Sequence, residues 1–163
     1  MRAVIVPSTL ALLPEYASID DPIADLRKAV DDAVTWLIED GPAALRGAAP
    51  SAKRIGAELL GDFQGSGPEL LVVANGTATR TEKAPGHFDE RAEGFDESIG
   101  TALRSGDFGV LADLDLELAA ELWAPDAAVF SSLAGFTPRT VEVDYDDAPY
   151  GVQYWVVRWQ CDS

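Results

Sequence analysis

The residues able to do chemistry in this chain are few in kind. One histidine, His87, and one cysteine, Cys161, stand beside 28 Asp and Glu residues. Zinc sites built from several His or Cys side chains are therefore excluded by count. For Mg or Ca, which take oxygen ligands, Asp144, Asp146 and Asp147 form the densest cluster. They lack the Asp-x-Asp-x-Asp-Gly pattern of a calcium loop, and so acidic a chain produces such clusters by chance. No Gly-x-Ser-x-Gly elbow presents a serine nucleophile, and His87 sits in a Pro-Gly-His-Phe turn that reads as surface loop. Gly61–Gly67 is glycine-rich but has neither the Lys-Ser/Thr of a phosphate loop nor its strand–turn–helix setting. Arg80 and Lys83 could hold a carboxylate or phosphate. Tyr154, Trp155 and Trp159 read as sheet core rather than a stacking platform.

The stretch that must position these groups is Glu69–Asp96. Leu70–Ala74 is a short apolar run ending in Asn75-Gly76-Thr77, the pattern of a central strand delivering a loop at its C-terminal end. Open α/β sheets place ligand sites there. The loop then gathers Thr77, Thr79, Arg80, Thr81, Glu82, Lys83 and His87, and reads equally as a solvated connection.

Around it, Ala3–Val6 has the β-branched content of a buried strand ended by Pro7. Asp20 or Asp21 can cap a helix with Pro22 in its first turn, which Gly41-Pro42 stops. Ile23, Leu26, Val30, Ala33, Val34, Leu37 and Ile38 give that helix one apolar face. Residues 41–68 carry the weakest pattern, with a short helix around Ser51–Leu60. A helical stripe at Phe95, Ile99, Ala102 and Leu103 ends at Gly106. Asp107–Leu114 and Asp115–Trp123 read as short helices opened by aspartate caps, and Ala127–Leu133 favours helix. Thr140–Tyr145 and Val152–Trp159 make an antiparallel hairpin across Asp146–Gly151. The expectation is an α/β fold: one domain over residues 1–163, a central mixed β-sheet flanked by helices, and a C-terminal antiparallel hairpin.

Composition is that of a globular chain, with 47% hydrophobic and 25% charged residues. The net charge of −16 argues against nucleic acid or anionic membrane as partner. The single cysteine permits no intrachain disulfide, which fits a reducing, cytoplasmic setting. No apolar run approaches a membrane span. The N-terminal MRAVIVPSTLALLPEYAS reads as a first strand rather than a signal peptide, since only Arg2 is basic and Pro7 breaks the run.

Three segments carry a family resemblance: EKAPGHFDERAEGFD at Glu82–Asp96, RSGDFGVLADLDLELA at Arg104–Ala119, and YDDAPYGVQYWVVRW at Tyr145–Trp159. Through these, and through Val6–Glu15 and Leu70–Leu122 more broadly, the chain resembles the B-subunit-like domain of class III extradiol ring-cleavage dioxygenases. That group includes the MEMO-like proteins, and the likeness is greatest to its short actinobacterial members. The resemblance implies a mixed sheet flanked by helices. It also implies, for active members, a ferrous ion held by two histidines and a carboxylate, with a further histidine as acid/base.

Carried over by position, Ser8 stands where the first ligand histidine belongs, residues 41–68 contain no histidine for the second, and Ala78 falls at the acid/base position. The carboxylate ligand should lie near Glu121–Trp123. One histidine cannot make the triad, so the expectation is no iron, no other cofactor and no extradiol activity. The pocket the resemblance implies would be lined by Ser8, Thr9, Asn75, Thr77, Arg80, His87 and Tyr150. The leading expectation is a non-catalytic relative that binds a small molecule or a protein partner. One alternative is an enzyme recruiting Ser8, Thr77, Arg80 or Asp146-Asp147 to non-iron chemistry. Another is a subunit-like interaction protein, a homo-oligomer pairing through an exposed hairpin edge with Trp155 or Trp159.

Overall fold

The structure, a computed structural model, describes residues 1–162. Its elements in chain order are β1 (Arg2–Val6), α1 (Ala24–Ile38), β2 (Ala43–Arg46), α2 (Pro50–Leu60), β3 (Glu69–Val73), α3 (Ala92–Ser105), α4 (Leu116–Glu121), α5 (Ala127–Ser131), β4 (Thr140–Asp147) and β5 (Tyr154–Gln160). The strands form one five-stranded sheet in the order β2-β3-β1-β5-β4. β1, β2 and β3 are parallel, β5 runs antiparallel to β1, and β4 antiparallel to β5. This is the expected α/β architecture with its C-terminal hairpin.

Side chains alternate between the two faces with the strand period of two. Val4, Val6, Leu71 and Val73 pack under α1 and α2, against Leu26, Val30, Leu37 and Ile55. Ala3, Ile5, Leu70 and Val72 point the other way, toward Phe95, Ile99, Leu103 and Phe130 of α3 and α5. Burial on both faces is why Leu70–Val73 reads as an unbroken apolar run rather than an alternating one. The β1-to-β2 and β2-to-β3 crossovers move across the sheet in opposite directions, yet α1 and α2 cover the same face. The two connections therefore have opposite hands, so one departs from the usual right-handed rule.

Several local expectations shift. α1 begins at Ala24, because the Asp21 carboxylate accepts the Ile23 N–H at 3.2 Å and holds the preceding turn out of the helix. β2 lies inside the stretch that carried no strand signal. Phe108–Asp113 is a 3-10 segment and Asp107 makes no side-chain cap bond. Asp115 does cap α4, accepting from Glu117 N–H and Leu118 N–H at 3.1 and 3.0 Å.

The hairpin buries its tryptophans. Trp155 and Trp159 are each 1% exposed, set edge-to-face on Phe130 and Phe108 with ring centres 5.4 and 5.3 Å apart. The tryptophan edge expected for an oligomer contact is thus absent. β4 instead presents Glu142, Asp144, Asp146 and Asp147 along the sheet edge, like charges that discourage strand addition by another chain. No helix among the described residues is long and apolar enough to cross a membrane.

Candidate functional site

β1 and β3 end in register, with Val6 opposite Val73, and Ala74 N–H donates to the Val6 carbonyl at 3.0 Å. From that shared end the chain leaves β1 toward the α1 face and leaves β3 toward the α3 face. Where neighbouring parallel strands diverge in this way, a crevice opens at the carboxyl end of the sheet. Here it encloses about 750 Å³, within the roughly 300–1,000 Å³ of small-molecule sites.

Three segments wall it: Ser8–Ala11 after β1, the Asn75–Ala78 loop after β3, and Trp123–Asp126 between α4 and α5. Pro85, Ala120 and, from the hairpin, Val152 and Tyr154 complete the lining. Asn75 ties the walls together. Its Oδ1 accepts Ser8 N–H at 2.7 Å, its Nδ2 donates to the Ser8 carbonyl at 3.1 Å, and its own N–H donates to Asp126 Oδ2 at 2.9 Å. The first wall is also held from behind. Arg27 of α1 donates to the Ala11 and Leu12 carbonyls at 2.6 and 2.9 Å while paired with Asp21 at 2.7 Å. The Arg27 guanidinium keeps the Asp21 carboxyl below its ordinary pKa.

A buried knot shapes the second wall. Asp96 of α3 accepts Thr77 N–H at 2.9 Å, the Thr77 hydroxyl at 2.7 Å and Arg80 Nη1 at 3.4 Å. Arg80 also donates to Gln153 Oε1 at 2.7 Å, and Gln153 donates to Asp146 Oδ1 at 2.7 Å. Burial raises the Asp96 pKa against the pull of Thr77 and Arg80. Gly76 is required here, since a Cβ would stand 2.6 Å from Asp96 Oδ1.

The third wall follows from how α4 ends. Trp123 N–H bonds to the Ala120 carbonyl at 3.3 Å and Ala124 N–H to the Ala119 carbonyl at 2.8 Å, the paired bonds of a Schellman close. The left-handed residue of that motif is usually glycine; here it is Trp123, with φ of 55° and 54% exposed. Its indole lies against Gly86, where a Cβ would come within 2.9 Å of the ring.

Of the seven residues expected to line a pocket, Ser8, Thr9 and Asn75 do so. Thr77 does not, because its side chain is consumed in the Asp96 knot. Arg80 faces a separate small polar cleft beside Glu93, Asp96, Arg104 and Asp146. Tyr150 lies in a surface depression with Thr81, Glu82 and Lys83. His87 is exposed in a turn with φ of 59°, its Nδ1 3.4 Å from the Glu82 carbonyl oxygen. The aspartates Asp144, Asp146 and Asp147 do not converge: they engage Arg158, Arg104 with Gln153, and the Ala148 N–H. Among the described residues no group of three or more His, Cys, Asp or Glu is arranged to hold a metal ion.

The residues missed by sequence reading are Asp126, Trp123 and Tyr154. Asp126 is 3% exposed, and with one oxygen on Asn75 N–H its Oδ1 meets no donor among the described residues. No Lys, Arg or His lines the crevice among those residues. Burial raises the pKa of Asp126, partly opposed by the Asn75 N–H, and burial likewise raises that of Tyr154. The available signal was Pro125, which cannot continue a helix past the close of α4. Known proteins offer no guide to this site: no protein-family model matches the chain, and no curated protein matches it.

Proposed function

We propose that the chain is a non-catalytic relative of the class III extradiol dioxygenases whose crevice binds a small, largely apolar molecule. The observation that carries this reading is the crevice itself: about 750 Å³, walled mainly by Leu10, Ala78, Trp123, Ala124 and Val152, with Ser8, Asn75 and Asp126 converging on it. A preformed apolar cleft with a few placed polar groups is the usual form of a ligand site. Ser8 and Ala78, which stand where the family resemblance calls for histidines, both line it, and neither can ligate iron as imidazole does.

Calorimetry with an uncharged probe, phenylbutanol, tests the reading. Binding to the wild-type chain and its loss in Ala78→Phe, which fills the crevice, are expected. Equal binding by both proteins would overturn it. Anaerobic titration with ferrous ion is expected to give no stoichiometric site, and stoichiometric binding followed by oxygen uptake with catechol would contradict the non-catalytic part.

A second reading, an enzyme with non-iron chemistry in the same crevice, draws on one observation. A buried carboxyl with raised pKa in a cleft, such as Asp126, is the environment in which general acids and bases are tuned. Chemical change in a bound ligand recovered after incubation would favour it.

A further inference from the structure

The crevice is mainly apolar, yet one ionisable carboxyl lines it, that of Asp126, a residue only 3% exposed. Withdrawing a carboxylate is unfavourable unless something compensates it, and one N–H, from Asn75, is its only donor among the described residues. Oδ1 accepts from no protein group among those residues and is not sealed from the crevice, and no basic side chain lines the cavity among them. An anionic ligand would meet a like charge there, and a wholly apolar one would leave the carboxyl bare. A ligand bringing its own cation meets neither objection.

The rim adds an independent observation. At the C-terminus of α4 glycine is the favoured residue, and the chain instead holds an exposed tryptophan in left-handed backbone. Strain of this kind persists where the surroundings fix it, often at ligand sites. Indole is the aromatic ring that best attracts a cation. Trp123 and Asp126 lie three residues apart on one wall, and both line the cavity.

We propose that the crevice takes a small apolar molecule bearing a protonated amine, its ammonium donating to Asp126 Oδ1 and its hydrocarbon lying among Leu10, Ala78, Trp123 and Val152. This rests on the small-molecule reading above and names the ligand class. Ser8 lines the same crevice. No covalent step is involved. The net charge of −16 also draws cations toward the whole surface.

The test is an NMR titration of the full chain, at physiological ionic strength, with phenylbutylamine, phenylbutanol and phenylbutyrate, followed at the amides of residues 8–11, 75–78 and 123–126. The expected order is amine tightest, alcohol weaker and carboxylate weakest. Asp126→Asn, which keeps an acceptor for Asn75 N–H, should cut amine affinity about tenfold or more, a larger factor than its effect on alcohol affinity. Alcohol or carboxylate binding at these amides as tightly as the amine would overturn the cation assignment and leave the crevice reading standing. Amine binding that bypasses these amides, or is unchanged in Asp126→Asn, would also overturn it. If none of the probes shifts these amides, the crevice reading falls and this inference with it. Should Asp126→Asn fail to fold, the ranking of the three probes on the wild-type chain decides alone.

Discussion

Two buried aspartates, Asp96 and Asp126, give the crevice its polar framework, and they differ in how fully they are satisfied. Asp96 accepts from Thr77 twice and from Arg80. Replacing it with Ala strands a buried N–H, a hydroxyl and part of a guanidinium. Asp96→Ala should therefore destabilise by about 3 kcal/mol or more, read from chemical denaturation. Asp126 has one donor, and burial raises its pKa above the ordinary 3.8. A folded-state pKa raised in this way means the folded chain holds the proton more tightly than the unfolded one. That stability is fully present below pH 3.8 and is lost as pH rises through the raised value. Asp126→Asn should then melt higher than the wild type at pH 7, with the gain shrinking as pH falls toward 4. A melting series across that range checks it, and a lower melting temperature at pH 7 would contradict it. Neither role was legible in the sequence. Thr77 and Arg80 carry the chemistry of a binding loop, and only the arrival of Asp96 from 19 residues away shows that they are spent on holding its shape.

At the level of elements, the site depends on how segments end more than on how they run. β1 and β3 were readable from their apolar runs, and their shared C-terminal edge from the Asn75-Gly76-Thr77 loop. The third wall was not, because the pattern of α4 stops at Trp123 and Ala124–Asp126 belongs to no periodic element. β2 was hidden for a related reason: Ala43–Arg46 is short, has no β-branched residue, and is held mainly by its pairing with β3. The close of α4 carries a sharper consequence. Trp123→Gly removes the left-handed strain, worth about 1 kcal/mol or more, against the loss of a half-exposed ring. Its thermal stability should equal or exceed that of the wild type, while phenylbutylamine affinity falls about threefold. Loss of both stability and binding would assign Trp123 a packing role alone.

Across the whole molecule, acidity was the most visible feature of the sequence and fold class the most readily inferred one. The charge is spread over β4, the helices and the loops, its 28 carboxylates outnumbering the 12 lysines and arginines. Such a surface repels itself in the compact state, and salt screens that repulsion. Melting temperature should rise as sodium chloride is raised from low to near-molar concentration, and a fall would point to the ion pairs of Arg27, Arg91 and Arg158 as the stronger influence. The hairpin tryptophans were expected either in the core or at an exposed edge, and the apolar faces of α3 and α5 draw them inward. The most direct measurement is a crystal structure of the chain grown with saturating phenylbutylamine. Ligand density between Ser8–Ala11 and Trp123–Asp126, with nitrogen beside Asp126 Oδ1, is the predicted result. A crevice closed by its own side chains, or density only on the acidic exterior, would contradict it.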